Sequence, residues 1–315
     1  MSEKLVLVTG GAGFVGSSLI RRLLANDEDL QVVSVDNYFT GSAARHVRDP
    51  RARYVHGNTI DVMALWDDLR LDAPATVYHL GEYSRIPQSF EEPDRVWEYN
   101  LRGTKEVVRL CRRFDAKLVY AASSSRFGND GRDENLTPYS WTKAKNVEFI
   151  RNTHTWFGLD HAIAYCYNVY GPGQISVGPY ATVIGIFEEQ YRAGEPLTVA
   201  EPGTQSRDFT HVDDIVAGLV LCAERGFGDG YLLGRGEELQ IIEVARMFGA
   251  DTIMIPPRRG ERYRGLADTS LARSIGWEPK ISLADYVAEV VKHTTSDGAA
   301  ARAGTDAPQA VRSAR

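Results

Sequence analysis

The sequence predicts a doubly wound α/β fold, a parallel sheet covered by helices on both faces, followed by a smaller α/β carboxy-terminal lobe. Three observations carry this expectation. Short β-branched apolar runs alternate with helical stretches through the first half of the chain. The first run leads straight into a glycine-rich turn that opens a helix. After Tyr170 the alternation breaks, in a loop crowded with Gly171, Pro172, Gly173, Gly178 and Pro179.

In chain order, residues 5–8 form the kind of apolar run that a strand buried on both faces requires. Residues 14–24 carry helical apolar spacing, and 31–35 read as the second strand. Further strands are expected at 53–55, 76–79, 117–121 and 161–165, with helices at 62–71, 95–114 and 140–157. This divides the chain into a first domain over 1–170, rejoined by about 210–235, and a lobe occupying mainly 171–293. The stretch 294–315, rich in Ala, Ser, Gly and Arg without periodicity, is expected to be a disordered tail.

Composition narrows the class. The chain has 315 residues, 43% of them hydrophobic, enough for a sizeable core. Its 42 acidic residues outnumber 36 basic ones, which argues against nucleic acid as a partner. Cys111, Cys166 and Cys222 are odd in number and far apart, so neither a metal site nor a disulfide framework is expected, and a reducing cytoplasm is the simplest compartment. No apolar run is long enough to span a bilayer, so no membrane partner is expected.

The segment Thr9-Gly10-Gly11-Ala12-Gly13-Phe14-Val15-Gly16 places glycines between a strand and a helix. Glycines allow a tight turn and let backbone N–H groups approach a pyrophosphate at the helix N-terminus. Asp36 stands at the end of the next strand, 20 residues after Gly16. A carboxylate there bonds both hydroxyls of an adenine ribose and repels a 2′-phosphate, which favours NAD over NADP.

Tyr139 and Lys143 are four residues apart, on one face of the expected helix. A lysine ammonium favours phenolate, so Tyr139 is a candidate acid/base. The helix follows the strand-and-loop segment ending in Ser123, Ser124 and Ser125, and the carboxyl ends of parallel strands are where ligands bind. A serine hydroxyl there orients a substrate hydroxyl against the phenol. For Ser124, plain strand-end hydrogen bonding is an equal alternative.

These pieces together resemble the extended short-chain dehydrogenase/reductase family, the NAD-dependent nucleotide-sugar epimerases and dehydratases, and most of all its UDP-hexose 4-epimerases. The resemblance spans about residues 5–290. It rests on the glycine turn, Asp36-Asn37-Tyr38, His79-Leu80, Asn100 to Thr104, Tyr139 to Lys143, Asn168 to Pro172, Arg207 to Asp213 and Arg258 to Glu261. It implies Tyr139 as acid/base, Lys143 as its tuner and a ribose ligand, and Ser123, five residues before the glycine of Phe127-Gly128, as their hydroxyl partner. It further implies cofactor contacts at Gly10, Gly13, Phe14, Val15, Gly16, Asp36, Asn37, Asn58, Thr59, Leu80 and Asn100. Ser125 and Asn168 would touch the sugar nucleotide, and Arg207 and Arg258 its diphosphate, a task that suits the permanent guanidinium charge. Gly265, seven positions beyond Arg258, corresponds to a residue whose small size admits an N-acetyl group; a glycine needed for a turn is the equal alternative.

The family's 4,6-dehydratases carry Asp-Glu where this chain has Ser124-Ser125, so the resemblance implies 4-epimerisation of a UDP-sugar, glucose/galactose or the N-acetylated forms. A dehydratase, a 4-keto reductase, or a uronate or heptose epimerase is the alternative, and a non-catalytic NAD-binding sensor a second. A homodimer through the helices at 95–114 and 140–157 is also implied. The chain departs from the family pattern at Glu82, where a small residue is usual, at Asn58 in place of an Asp, at Tyr165 in place of an arginine, and at Arg85 and Arg126. The two arginines are suited to an acidic sugar such as a uronate, with ordinary ion pairing as the favoured alternative.

Overall fold

A computed structural model describes residues 4–127 and 135–305. The first half runs β1 (Lys4–Thr9), α1 (Phe14–Asn26), β2 (Leu30–Asp36), β3 (Ala52–His56), α2 (Val62–Asp68), β4 (Thr76–His79), α3 (Pro93–Val96), α4 (Gly103–Phe114), β5 (Lys117–Ser123), α5 (Pro138–Phe157) and β6 (His161–Cys166). A π-helical turn, Trp97–Arg102, joins α3 to α4, so 93–114 is one continuous helical rod. The second half runs β7 (Asn168–Tyr170), α6 (Val183–Ala193), β8 (Leu197–Ala200), β9 (Ser206–His211), α7 (Val212–Arg225), β10 (Gly228–Leu233), β11 (Glu238–Gln240), α8 (Ile241–Met247), β12 (Thr252–Ile255), α9 (Ser270–Ser274) and α10 (Leu283–Thr305).

Seven strands form one parallel sheet in the order β3-β2-β1-β4-β5-β6-β10. This is the Rossmann-type sheet expected of alternating strands and helices. The order reverses between β1 and β4, and that switch point opens a crevice beyond their carboxyl ends. Strands buried on both faces explain the near-continuous apolar runs: Leu7, Val8, Leu118, Val119, Ala162 and Ile163 are fully enclosed. One core layer lies beneath α1 and α7, with Leu19, Ile20, Ile215 and Leu219 against the sheet. The other lies beneath α2, α4 and α5, around Trp66, Val107, Leu110, Val147 and Ile150.

The strand β10 returns to this sheet after an excursion of more than sixty residues from β6. Its edge is tied by a polar cluster: the Tyr165 hydroxyl donates to Asp229 at 2.8 Å and accepts from Arg126, while Arg126 and Arg151 each lie 3.6 Å from Asp229. Beside the sheet, β7, β9 and β11 form a three-stranded sheet and β8 pairs with β12. Tyr170, Phe187, Leu197, Val199, Phe209, Val244, Phe248 and Leu283 make the core of this lobe. The helix α10 runs through Thr305, into the stretch expected from 294 as a disordered tail: Ala299, Ala300, Ala301 and Ala303 are strong helix formers despite their lack of amphipathic spacing. Residues 306–315 lie outside the described residues. Among those described, no helix is long and apolar enough to cross a membrane.

Candidate active site

The glycine turn closes against the start of the segment after β4. Gly10 has φ +75°, and a Cβ on it would meet the backbone of Gly81 at 2.9 Å. A Cβ on Gly16 would collide with the Gly10 carbonyl, its carbon only 2.8 Å away. Gly13 caps α1 without a side chain, so the first-turn N–H groups at Phe14, Val15 and Gly16 receive no side-chain cap. That is a cradle for a pyrophosphate. Asp36, at the carboxyl end of β2, accepts from the backbone N–H of Ala12 at 2.9 Å and of Tyr38 at 2.8 Å, one on each oxygen. The carboxylate is thereby held at the lip of the crevice, with lone pairs left for a ribose.

The reactive centre forms where β5 and α5 converge. Thr137 caps α5 by accepting from Ser140 N–H at 2.9 Å, and Pro138 takes the first helical position, so the helix starts cleanly one residue before Tyr139. Tyr139 and Lys143 are both buried and, with Ser123 at the end of β5, line one crevice. The Ser123 oxygen accepts from the Ser125 hydroxyl at 2.9 Å, which leaves the Ser123 proton free to be donated. Lys143 donates to the Ala121 carbonyl at 2.7 Å and forms an ion pair with Glu82. Burial works most strongly against the lysine's charge, but Glu82, through charge and hydrogen bond, and Tyr139 together outweigh it and hold the ammonium above its ordinary pKa.

Glu82 is enclosed and receives donors on every side. Thr104 Oγ1 donates at 2.8 Å, Asn146 Nδ2 at 2.7 Å and the Tyr120 hydroxyl at 3.1 Å. Behind it, His79 bridges Thr104 at 2.9 Å through Nε2 and Thr9 at 2.7 Å through Nδ1. Burial drives the His79 pKa down to about 4, with Glu82 opposing, so the ring is neutral near pH 7. Because Thr104 spends its proton on Glu82, it must accept from His79 Nε2–H, and Nδ1 must accept from Thr9. The chain of donors therefore runs one way, from the glycine turn to Glu82, and Lys143 donates into the same carboxylate from the other side.

The far end of the crevice is basic. Arg207 is half-buried and paired with Glu261, and also donates to the carbonyls of Ser206 and Arg262. Burial lowers its pKa, with Glu261 opposing. Arg262 donates to the Ser124 carbonyl at 2.8 Å; burial, reinforced by Arg207, pulls it down to about 10. Arg258 is exposed at the rim. Arg85 donates through Nε to the Tyr180 carbonyl at 2.7 Å and has no acidic partner among the described residues.

Most of the residues singled out from sequence line this one crevice: Gly10, Gly13, Phe14, Val15, Gly16, Asp36, Asn37, Thr59, Leu80, Ser123, Tyr139, Lys143, Asn168, Arg207 and Arg258. Four do not. Asn58 stands behind the lining residue Asn37, accepting from its amide at 2.7 Å. Asn100 is enclosed, accepting from Tyr83 N–H at 2.7 Å and donating to Thr142 at 2.9 Å, so its amide braces the wall instead of reaching the cofactor. Ser125 sits behind Ser123. Gly265 lies against Arg262, where a Cβ would come within 2.7 Å of the guanidinium carbon, and it is not among the residues lining the crevice. Gly128, part of the pattern that pointed to Ser123, lies outside the described residues. Sequence reasoning missed Tyr167, Thr182, Gln205 and Arg262, which also line the crevice; Tyr167 sits in the link after β6 and the others in irregular segments of the second lobe, where no spacing rule applies. Arg126 is absorbed in the pairing with Asp229.

Fold and site together fit one class: a Rossmann-type enzyme whose crevice is lined by a glycine turn at one end and by Tyr139, Lys143 and Ser123 at the strand ends. The chain belongs to the NAD-dependent epimerase/dehydratase family, whose model matches residues 6–234, and its cofactor is NAD. A putative UDP-glucose 4-epimerase of Methanocaldococcus jannaschii is 31% identical over 91% of this chain and 97% of its own. UDP-glucuronic acid decarboxylase 6 of Arabidopsis thaliana is 28% identical over 90% of this chain and 86% of its own. Among solved structures, a UDP-glucose 4-epimerase of Thermotoga maritima with UDP-glucose superposes with a TM-score of 0.85 at 26% identity, covering 93% of this chain and 99% of that one.

Proposed function

We propose that the protein is a 4-epimerase of UDP-hexoses, acting on UDP-glucose and UDP-galactose or their N-acetylated forms. The observation that supports epimerisation over dehydration is the state of the crevice's acids. Asp36 holds the glycine turn, Glu82 is tied to Lys143 and Glu261 to Arg207. Among the described residues, none of the three stands free to drive loss of water from C5 and C6 of a sugar. Ser124 and Ser125 occupy the positions where a dehydratase would carry its acid pair.

Bound on the glycine turn and Asp36, NAD supplies a reversible hydride acceptor. The protein's residues do the rest. Ser123, with its own proton free, orients the sugar 4-hydroxyl; Tyr139 takes the proton from that hydroxyl and returns it once the 4-keto sugar has presented its other face. Lys143 holds the charge of the phenolate and reaches the cofactor ribose. Arg207 and Arg258 grip the diphosphate, so the sugar turns while its nucleotide stays anchored. A uronate is the second reading, favoured by Arg85 lacking an acidic partner. We further read the protein as a homodimer through α4 and α5, the latter exposing Trp156 and Phe157 at its end, and place it in the reducing cytoplasm because its three cysteines are free.

The test is to incubate the purified protein with UDP-glucose, UDP-galactose, their N-acetyl forms and UDP-glucuronate and follow products by NMR. Interconversion of 4-epimers is expected; a 4-keto-6-deoxy product, or loss of carbon dioxide from the uronate, would replace the epimerase reading. Tyr139→Phe is expected to retain NAD and lose turnover by about 10²–10⁴-fold, the usual worth of a general acid/base.

A further inference from the structure

We propose that Glu82 is a positioning residue that pins the Lys143 ammonium and offsets its charge, leaving one of its three N–H donors for the cofactor ribose and Tyr139. The count follows from the contacts. An ammonium has three donors and no acceptor. One goes to Glu82 and one to the Ala121 carbonyl at 2.7 Å. The helix α5 fixes the lysine's backbone, so these two anchors on the sheet side aim the remaining N–H into the crevice that Tyr139 and Ser123 line.

Glu82 must be ionised to do this. Its neighbours Thr104, Tyr120, Asn146 and Lys143 all present protons to it, and a carboxylate is acceptor-only. Among the described residues, the other titratable groups around the pair and Tyr139 bring no second carboxylate. They are His79 from β4, Tyr120 from β5, Cys166 from β6 and Tyr139 on α5, with Arg85 from the segment after β4. His79 is neutral at pH 7, and burial drives Tyr120 and Cys166 well above their ordinary values. Glu82 is therefore the one buried carboxylate set against Lys143 among the described residues, with Arg85 a further cation beside the phenol. The pair is neutral as a whole, and the lysine's pull on the phenolate is weaker than an uncompensated ammonium would exert.

The consequence is readable without turnover, so it stands or falls separately from the epimerase reading. In NAD-loaded protein the tyrosinate absorbance of Tyr139 is isolated as the difference from Tyr139→Phe. Glu82→Gln removes the anion, and Glu82→Ala removes both the anion and the anchor. Each is expected to move the Tyr139 titration to lower pH by about one unit, the scale of one nearby charge. Glu82→Asp keeps the charge and should stay close to the parent. The Gln amide presents an N–H₂ toward donors that have nowhere to turn, so that variant is the one at risk of misfolding; Ala then carries the reading. If a folded, NAD-loaded Gln or Ala variant titrates with the parent, or Asp shifts as far as Ala, Glu82 is only a structural filler and the proposal is wrong.

Discussion

Replacing Gly16 by alanine tests whether the glycine turn is as tight as its geometry implies. The added Cβ would lie 2.8 Å from the Gly10 carbonyl carbon and 2.8 Å from Gly11 Cα. Comfortable carbon–carbon contact begins near 3.5 Å, so the turn must open by at least about 0.7 Å, and by more at the Gly10 carbonyl oxygen, which lies nearer still. Little is free to move. Gly10 N–H bonds the Val35 carbonyl at 2.9 Å, and its own carbonyl accepts from Gly13 N–H at 3.1 Å. Forced overpacking costs about 1–3 kcal/mol and a broken turn hydrogen bond about 1 more, together roughly 2–4 kcal/mol. With an unfolding entropy of about 2.1 cal/mol/K per residue, a chain of this length loses roughly 1.5 °C of Tm for each kcal/mol, so a fall of about 3–6 °C is expected. Calorimetric melting of the cofactor-free protein measures it, and NAD occupancy should fall alongside. Gly158→Ala is the control. Gly158 has φ +74° but open space around its missing Cβ, so it carries only the left-handed backbone penalty of about 1–2 kcal/mol. A Gly16→Ala protein that melts with the parent and keeps its full NAD would refute the crowding argument.

Three further outcomes are expected. Asp36→Asn leaves one oxygen to serve two backbone donors and removes the charge that repels a 2′-phosphate; NAD affinity should fall by about 1.5–3 kcal/mol and the preference over NADP should narrow, as read by calorimetric titration with both cofactors. Gly265→Ala should displace the Arg262 guanidinium and lower Tm without altering the ratio of rates on UDP-glucose and UDP-N-acetylglucosamine; a changed ratio would restore Gly265 to the sugar pocket. His79 is held neutral with its pKa at about 4, below the 6.5 of the unfolded chain, so the unfolded state binds more protons between those values and stability falls as pH drops through that window. The loss amounts to about 3 kcal/mol, and urea midpoints at pH 7 and pH 4.5 should show a smaller decline in His79→Asn.

What the sequence revealed was what local periodicity and short spacings encode. The buried strands announce themselves because both their faces need apolar side chains, and β4 was placed to the residue. Tyr139 and Lys143 were legible because four residues on a helix share a face, and Asp36 because it ends the strand after the glycine turn. Long-range pairing was not legible. Asn100 looked like a cofactor ligand, yet its amide is consumed by Tyr83 and Thr142, residues 17 and 42 positions away. Gly265 carried a family association, while its physical partner Arg262 was invisible to any spacing rule. Glu82 stood out in the sequence as a carboxylate near the cofactor, but only the fold shows Thr104, Tyr120, Lys143 and Asn146 closing around it.

The late return of β10 has a bearing on how this protein is made. Strands β1 to β6 and the Tyr–Lys helix occupy the first 166 positions of the chain, whereas the strand that completes the sheet beside β6 cannot pair until Gly228 has emerged from the ribosome. During that interval the outer edge of β6 has exposed N–H and C=O groups, a ready template for stray strands. The polypeptide that passes in the meantime carries Arg207, so placement of that residue in the crevice is coupled to closure of the sheet. Because such non-local pairing is slow, damage at the β10 edge, such as loss of Asp229, would reveal itself first as misassembly during synthesis.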